Sequence, residues 1–176
     1  MRVIAGQAKG RKLVAPPPGD LLVRPTSDRA REALFSILQR WPMGPFLDLC
    51  AGTGAVGVEA WSRGYRPVTC VETGEPGWSC LRRNAMGTGL ALLRGDLLAL
   101  GARSFHNQAV IFLDPPYAGA QALWAQVGPR LAQWIAPDGV LVSETDRRTV
   151  LELQTGWDLA ETREYGAARF HFWTPA

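Results

Sequence analysis

Short apolar runs and longer amphipathic stretches alternate along most of this chain. Phe46-Leu-Asp-Leu49, Val68–Glu72, Ala91–Arg94, Ala109–Leu113 and Gly139–Glu144 read as strands. Ala109-Val-Ile-Phe-Leu113 is apolar throughout, as the centre of a parallel sheet would be. Between the runs, Ala55–Arg63, Glu75–Thr88 and Ala120–Trp134 carry apolar residues at helical spacing, with Trp78, Leu81 and Ala85 on one side of the second. Asp146–Gln154 reads as a further helix. Trp157–Glu164 and Ala168–Trp173 form a closing strand pair turned at Tyr165-Gly166. Strands alternating with helices predict an α/β, doubly wound and mostly parallel sheet, and the closing pair adds an antiparallel edge.

The first 44 residues are different. Arg2–Ala5 and Arg11–Val14 are short strand candidates, joined by Gly6-Gln-Ala-Lys-Gly10 into a hairpin. Ala15-Pro-Pro-Pro-Gly19 interrupts regular structure, and Arg24-Pro-Thr26 follows as an extended segment. Ser27 or Asp28 then caps a helix to about Arg40, with Ala30, Leu34, Ile37 and Leu38 on its apolar face. The expected organisation is a hairpin-and-helix extension over residues 1–44 and a nucleotide-binding domain over 45–176.

Charge sharpens this division. The chain has 176 residues and a net charge of +3. Residues 1–31 hold seven basic groups against two acids, a balance of +5, so the remainder is −2. Basic charge gathered at one end favours a nucleic-acid contact arm, with Lys9, Arg11 and Lys12 at the hairpin. No stretch is long and apolar enough for a membrane span, and the first residues lack the apolar region of a signal peptide; a cytoplasmic protein is expected. Three cysteines without zinc spacing and only two histidines predict no metal site. Trp124 and Trp134 read as packing residues.

The turn after the first strand carries the candidate chemistry. Gly52 and Gly54 permit a tight bend and close approach of backbone to a ligand, at the N-terminus of the helix that follows. Glu72 ends the second strand 20 residues after Gly52, where doubly wound folds place the carboxylate that holds ribose hydroxyls. Gly52-x-Gly54-x-x-Gly57 also satisfies a dinucleotide fingerprint, which alone is weak evidence. Asp48, inside the strand, points instead to a ligand with an ammonium group. More decisively, Asp114-Pro-Pro-Tyr117 after the central strand resembles the amino-methyltransferases, which favours S-adenosylmethionine over NAD.

Across its whole length the chain resembles the bacterial enzymes that methylate the exocyclic N2 of a guanine in small-subunit (16S) ribosomal RNA. The resemblance runs through Arg2-Val-Ile-Ala-Gly6, Gly10-Arg-Lys-Leu13, Arg24-Pro-Thr26 and Arg31-Glu-Ala-Leu-Phe35. It continues through Leu47-Asp-Leu49, Gly52-Thr-Gly54, Glu59, Ser62-Arg-Gly64, Val71-Glu72, Asn84 and Phe112-Leu-Asp-Pro-Pro-Tyr117. The Arg-Pro-Thr segment and the helix after it are the family-specific parts. Cys50 and Trp61 depart from it mildly.

The resemblance implies a Rossmann-like class I methyltransferase with a mostly parallel seven-stranded sheet and a small N-terminal hairpin and helix extension. It implies that Asp48 and the Gly52–Gly54 turn hold the methionine end of S-adenosylmethionine. Glu72 would hold its ribose and Asp96 its adenine amino group, with Ala51, Thr73 and Leu97 also at the cofactor. Asp114, also at the cofactor, and Pro115 would take the two hydrogens of the target amino group, and Tyr117 would stack the base. Lys9, Arg11, Lys12, Pro116 and Tyr117 would contact RNA, naked or in an assembled particle, and Arg24 and Thr26 would approach either the RNA or the cofactor carboxylate, with the protein a monomer.

Rival readings are a DNA adenine or cytosine amino-methyltransferase and a protein glutamine methyltransferase. The first usually needs a separate recognition domain, for which there is no spare length. The second resembles Asn-Pro-Pro-Tyr, from which Asp114 departs. A non-catalytic RNA-binding factor would have no use for the intact Asp114–Tyr117 sequence.

Overall fold

The computed structural model describes residues 1–16, 26–101 and 104–176, with the side chain of Tyr117 also outside the description. The first helix, α1, spans Asp28–Leu38, and the Ser27 hydroxyl caps it by accepting the Ala30 amide. The strand β1 (Phe46–Leu49) leads through the glycine turn into α2 (Ala55–Arg63), and β2 (Val68–Glu72) follows. Then come α3 (Gly77–Asn84), β3 (Ala91–Arg94), a 3-10 turn at Leu97–Ala99, and β4 (Gln108–Leu113). A second 3-10 turn, Tyr117–Gly119, opens α4 (Ala120–Leu131), before β5 (Ile135–Asp146), β6 (Trp157–Tyr165) and β7 (Ala168–Pro175).

The seven strands form one sheet in the order β3-β2-β1-β4-β5-β7-β6. The first five are parallel, and β7 is antiparallel to both its neighbours, so the expected doubly wound sheet with an antiparallel edge is present. Side chains alternate between its faces. Phe46, Val110, Val142 and Phe172 join Leu34, Phe35 and Val56 in one buried layer, with helices α1 and α2. Leu47, Leu49, Ile111 and Leu141 join four buried tryptophans in the other: Trp124, Trp134, Trp157 and Trp173.

The predicted N-terminal strands contract to a single antiparallel bridge, Arg2 to Lys12, flanked by the Val3 amide on the Arg11 carbonyl. The hairpin is nonetheless fixed, because its amides are spent on α2. Ile4 and Ala5 donate to the buried Glu59 carboxylate at 2.7 and 3.0 Å, and Ala8 donates to the Ser62 hydroxyl.

Three boundaries depart from the sequence reading. Helix α3 is shorter at both ends than Glu75–Thr88. At its C-terminal end the Asn84 side chain is turned aside to bind Val14 and the Thr53 carbonyl. Strand β5 begins at Ile135 rather than Gly139, and its pairing with β4 is irregular between Gln108 and Val110. The helix expected at Asp146–Gln154 is absent. Asp146 instead caps a turn by accepting the Arg148 and Thr149 amides, and the segment then runs along α4. There the Trp124 indole donates to the Glu152 carbonyl and Gln121 accepts the Glu152 amide, so backbone groups find side-chain partners rather than helical ones.

Candidate functional site

A cavity of about 700 Å³ opens beyond the carboxyl ends of β1, β2 and β4. Open α/β sheets place ligands there, where the strand order reverses. Parallel registry brings the determining residues level: Asp48 lies between Cys70 on one side and Phe112 on the other. Of the residues singled out from sequence, Thr26, Asp48, Ala51, Gly52, Glu72, Thr73, Asp96, Leu97, Asp114, Pro115 and Pro116 all line this space.

The turn from β1 to α2 is held by its own acids. Glu72 Oε2 accepts the Gly52 amide at 2.7 Å, while Oε1 accepts the Thr73 and Gly74 amides at 2.9 and 2.8 Å. One carboxylate therefore ties the glycine turn to the end of β2. Asp48, 1% exposed, accepts the Gly57 amide at 2.8 Å through Oδ2. Asp48 thus occupies the third amide of α2, while Ala55 and Val56 at the start of that helix line the cavity. Gly54 is not in the wall. It makes the bend, with φ of 75° at the N-terminus of α2, and a Cβ there would stand 2.3 Å from Leu81 Cδ1.

The electrostatics of the cavity are one-sided. Asp48, Glu72, Asp96 and Asp114 line it, and none of the lining residues described is basic. Burial pushes the Asp48 carboxyl up to about 7 against the pull of the Gly57 amide, and the charge of Glu72 adds to the rise. Burial, then the charge of Asp114, raises the Cys50 thiol, so it is an inert neutral group at this wall. Such a cavity suits a ligand with cationic groups and hydroxyl donors, and it opposes the pyrophosphate that the glycine fingerprint alone would admit.

At the end of β4 the Asp114 amide donates to the Leu49 carbonyl at 3.3 Å, which anchors the Asp-Pro-Pro turn against β1. Asp96 both lines the cavity and caps the following 3-10 turn by accepting the Leu98 amide at 2.9 Å. Thr26, just before α1, also lines the cavity, its hydroxyl donating to Glu144 Oε2 at 2.7 Å.

Several residues of the wall escaped the sequence reading. Val71, Phe112 and Leu123 give the cavity its apolar surfaces. Phe112 carries a usable signal, since it stands on β4 two residues before Asp114. Glu144, which stands behind the wall as the partner of Thr26, carries a weaker one, an acid near the carboxyl end of β5. Leu123 on α4 carries none.

The basic residues are elsewhere. Lys9 and Lys12 are exposed on the hairpin, outside the cavity. Arg11 is committed to α3, where its Nη2 donates to the Asn84 and Met86 carbonyls at 2.9 and 2.7 Å and satisfies that helix's C-terminus. Arg24 lies outside the described residues, as does the side chain of Tyr117. Among the described residues no group of three or more His, Cys, Asp or Glu could hold a metal ion, and no helix is long and apolar enough to cross a membrane.

Comparison with known proteins gives this geometry its context. Residues 1–174 match the family model described as Conserved hypothetical protein 95. The Bacillus subtilis (strain 168) protein YlbH is 33% identical, over 93% of this chain and 92% of its own length. Ribosomal RNA small subunit methyltransferase D of Haemophilus influenzae is 28% identical, over 98% of this chain and 93% of its own. Among solved structures, a hypothetical protein of Thermus thermophilus superposes with a TM-score of 0.81 at 27% identity, covering 100% of this chain and 99% of that one. With the match running through hairpin, glycine turn and Asp-Pro-Pro turn alike, the chain belongs to the Conserved hypothetical protein 95 family, that of ribosomal RNA small subunit methyltransferase D.

Proposed function

We propose that this protein transfers a methyl group from S-adenosylmethionine to the exocyclic N2 amino group of a guanine in small-subunit ribosomal RNA. The observation that carries the proposal is the Asp114-Pro-Pro turn in the wall of an acidic cavity built on β1 and β2, in a chain whose relatives include enzymes named for that RNA.

The acidic cavity fits the cofactor. Glu72 and Asp96 would take its hydroxyl and amino donors, Asp48 its ammonium group, and Val71, Leu97 and Phe112 its flat apolar parts. When bound, the cofactor supplies an electrophilic methyl group, and no metal is needed for that. An exocyclic guanine amine is a poor nucleophile, because its lone pair is delocalised into the ring. The Asp114 carboxylate would accept one of its hydrogens and the Pro115 carbonyl the other, which favours a pyramidal nitrogen with its lone pair free. Proline rings on either side of that carbonyl restrict the backbone, so the acceptors are held in place before the base arrives. Residues 1–44 act as the RNA-contact extension, and Tyr117 is the sequence's candidate for stacking the extruded base.

The test is transfer of a labelled methyl group to small-subunit RNA, both naked and in the assembled particle, followed by mass analysis of the nucleosides. N2-methylguanosine in one oligonucleotide is the expected product. A methylated adenosine or cytidine would overturn the choice of atom, and no transfer to either substrate would overturn the activity.

A further inference from the structure

We infer that Arg31 is a positioning residue that sets the basic hairpin in register with the cavity wall; the inference rests on the proposed RNA reaction. Arg31 is on α1, in the Arg31-Glu-Ala-Leu-Phe35 stretch that the cofactor chemistry leaves unexplained, and it is 0% exposed. Its guanidinium spans two parts of the molecule. Nη1 donates to the Thr26 carbonyl at 2.8 Å, and Nη2 donates to the Arg2 carbonyl at 2.6 Å and to Asp28 Oδ1 at 2.8 Å. Thr26 lines the cavity. Arg2 is the hairpin residue that bridges to Lys12. One rigid planar group thus joins the wall of the reaction cavity to the base of the arm that carries Lys9 and Lys12.

Stability is a poor explanation for this residue. A buried guanidinium is costly to desolvate, and a buried ion pair replaced as a whole by apolar side chains of similar volume often leaves a core as stable or more so. Here the Nε is buried and has no hydrogen-bond partner among the described residues, which adds to that cost. What the guanidinium supplies, and methionine or lysine cannot, is a fixed fork between two backbone carbonyls. The hairpin's far end is held independently by Glu59 and Ser62, so loss of the fork should alter alignment at Arg2 and Thr26 rather than release the arm.

The test is a cycle on the full chain with Arg31→Met, Arg31→Lys and the pair Lys9→Ala and Lys12→Ala, using small-subunit RNA as substrate. Arg31→Met should melt cooperatively and bind S-adenosylmethionine within about two-fold of wild type, while kcat on RNA falls about 10- to 100-fold, the scale on which a displacement of about 1 Å acts. Arg31→Lys keeps the charge without the fork and should lose as much; it stands in for the methionine variant if that one does not fold. In the Lys9→Ala, Lys12→Ala background the same substitution should cost less than about three-fold, because an arm that no longer grips RNA no longer dictates register. An undiminished loss in that background, an unchanged kcat, or full activity in Arg31→Lys overturns the inference and leaves the methyltransferase reading intact. A wild-type enzyme that transfers no methyl group to RNA overturns both.

Discussion

Glu72 Oε2 accepts the amide of Gly52 at 2.7 Å, so the acid at the end of β2 holds the turn at the end of β1. The same carboxylate is the proposed ribose ligand, which gives it two duties. Glu72→Ala should weaken S-adenosylmethionine binding by about 1.5–3 kcal/mol, the range for a hydrogen bond to a charged group. Calorimetry on the folded variant decides; unchanged affinity would remove Glu72 from the cofactor site.

Asp114→Ala separates binding from chemistry. Its carboxylate is assigned to the reacting amine, so kcat should fall about 10²-fold or more, as for loss of a preorganised transition-state partner. Cofactor affinity should change little. Turnover within a few-fold of wild type would refute the assigned role.

Asp48 gives a pH signature. Burial raises its carboxyl from 3.8 to about 7, so folding favours the protonated form. Its contribution is therefore complete below pH 3.8 and is lost as pH rises towards about 7, after which it is constant. Asp48→Asn cannot ionise and keeps an acceptor for the Gly57 amide. The melting temperature of the cofactor-free variant should gain on wild type across that window and hold a constant lead above it. A difference independent of pH would show that the Asp48 carboxyl is not perturbed.

The hairpin's basic residues divide by partner. Lys9→Ala with Lys12→Ala should flatten the salt dependence of log RNA affinity by about 1.5, at about 0.7–0.9 per lost phosphate contact. Arg11→Ala should instead cost about 0.3–1 kcal/mol of stability, because it uncovers the carbonyl end of α3. RNA titrations at several salt concentrations, with melts alongside, distinguish the two. A slope change from Arg11→Ala as large as that from a lysine would return Arg11 to the RNA surface.

Gly57 is constrained by its neighbours. A Cβ there would lie 2.3 Å from Cys70 Sγ and 3.1 Å from Asp48 Oδ2. Gly57→Ala should destabilise by about 1–3 kcal/mol, as overpacking does. Adding Cys70→Ala should restore part of that loss in denaturant melts, and no recovery would put the strain elsewhere.

The strands β1, β2 and β3, helix α2, Asp48 and Glu72 were legible because each rests on a local rule, whereas Asp96 came from the resemblance alone. Val68–Glu72 and Ala55–Arg63 have the limits that period and glycine placement predict. What was hidden depends on distant partners. Asp146–Gln154 has helical composition, but Trp124 and Gln121 on α4 take its backbone groups. Arg11 reads as one more phosphate ligand until Asn84 and Met86, over 70 residues away, present their carbonyls. The Thr26–Glu144 bond spans 118 residues, beyond the reach of any periodicity.

Strand β7 sits between β5 and β6, so spatial order reverses order of synthesis at this edge. When β6 has been made, the strand it must pair with does not yet exist, and β5 still has an open flank. The first five strands can pair among themselves before β7 is made, but the tryptophan layer stays incomplete until Trp173 arrives with β7. Late in assembly two unpaired strand edges wait for a single eight-residue segment, Ala168–Pro175. An interruption there would leave not a smaller version of the fold but a pair of open templates for pairing with other chains.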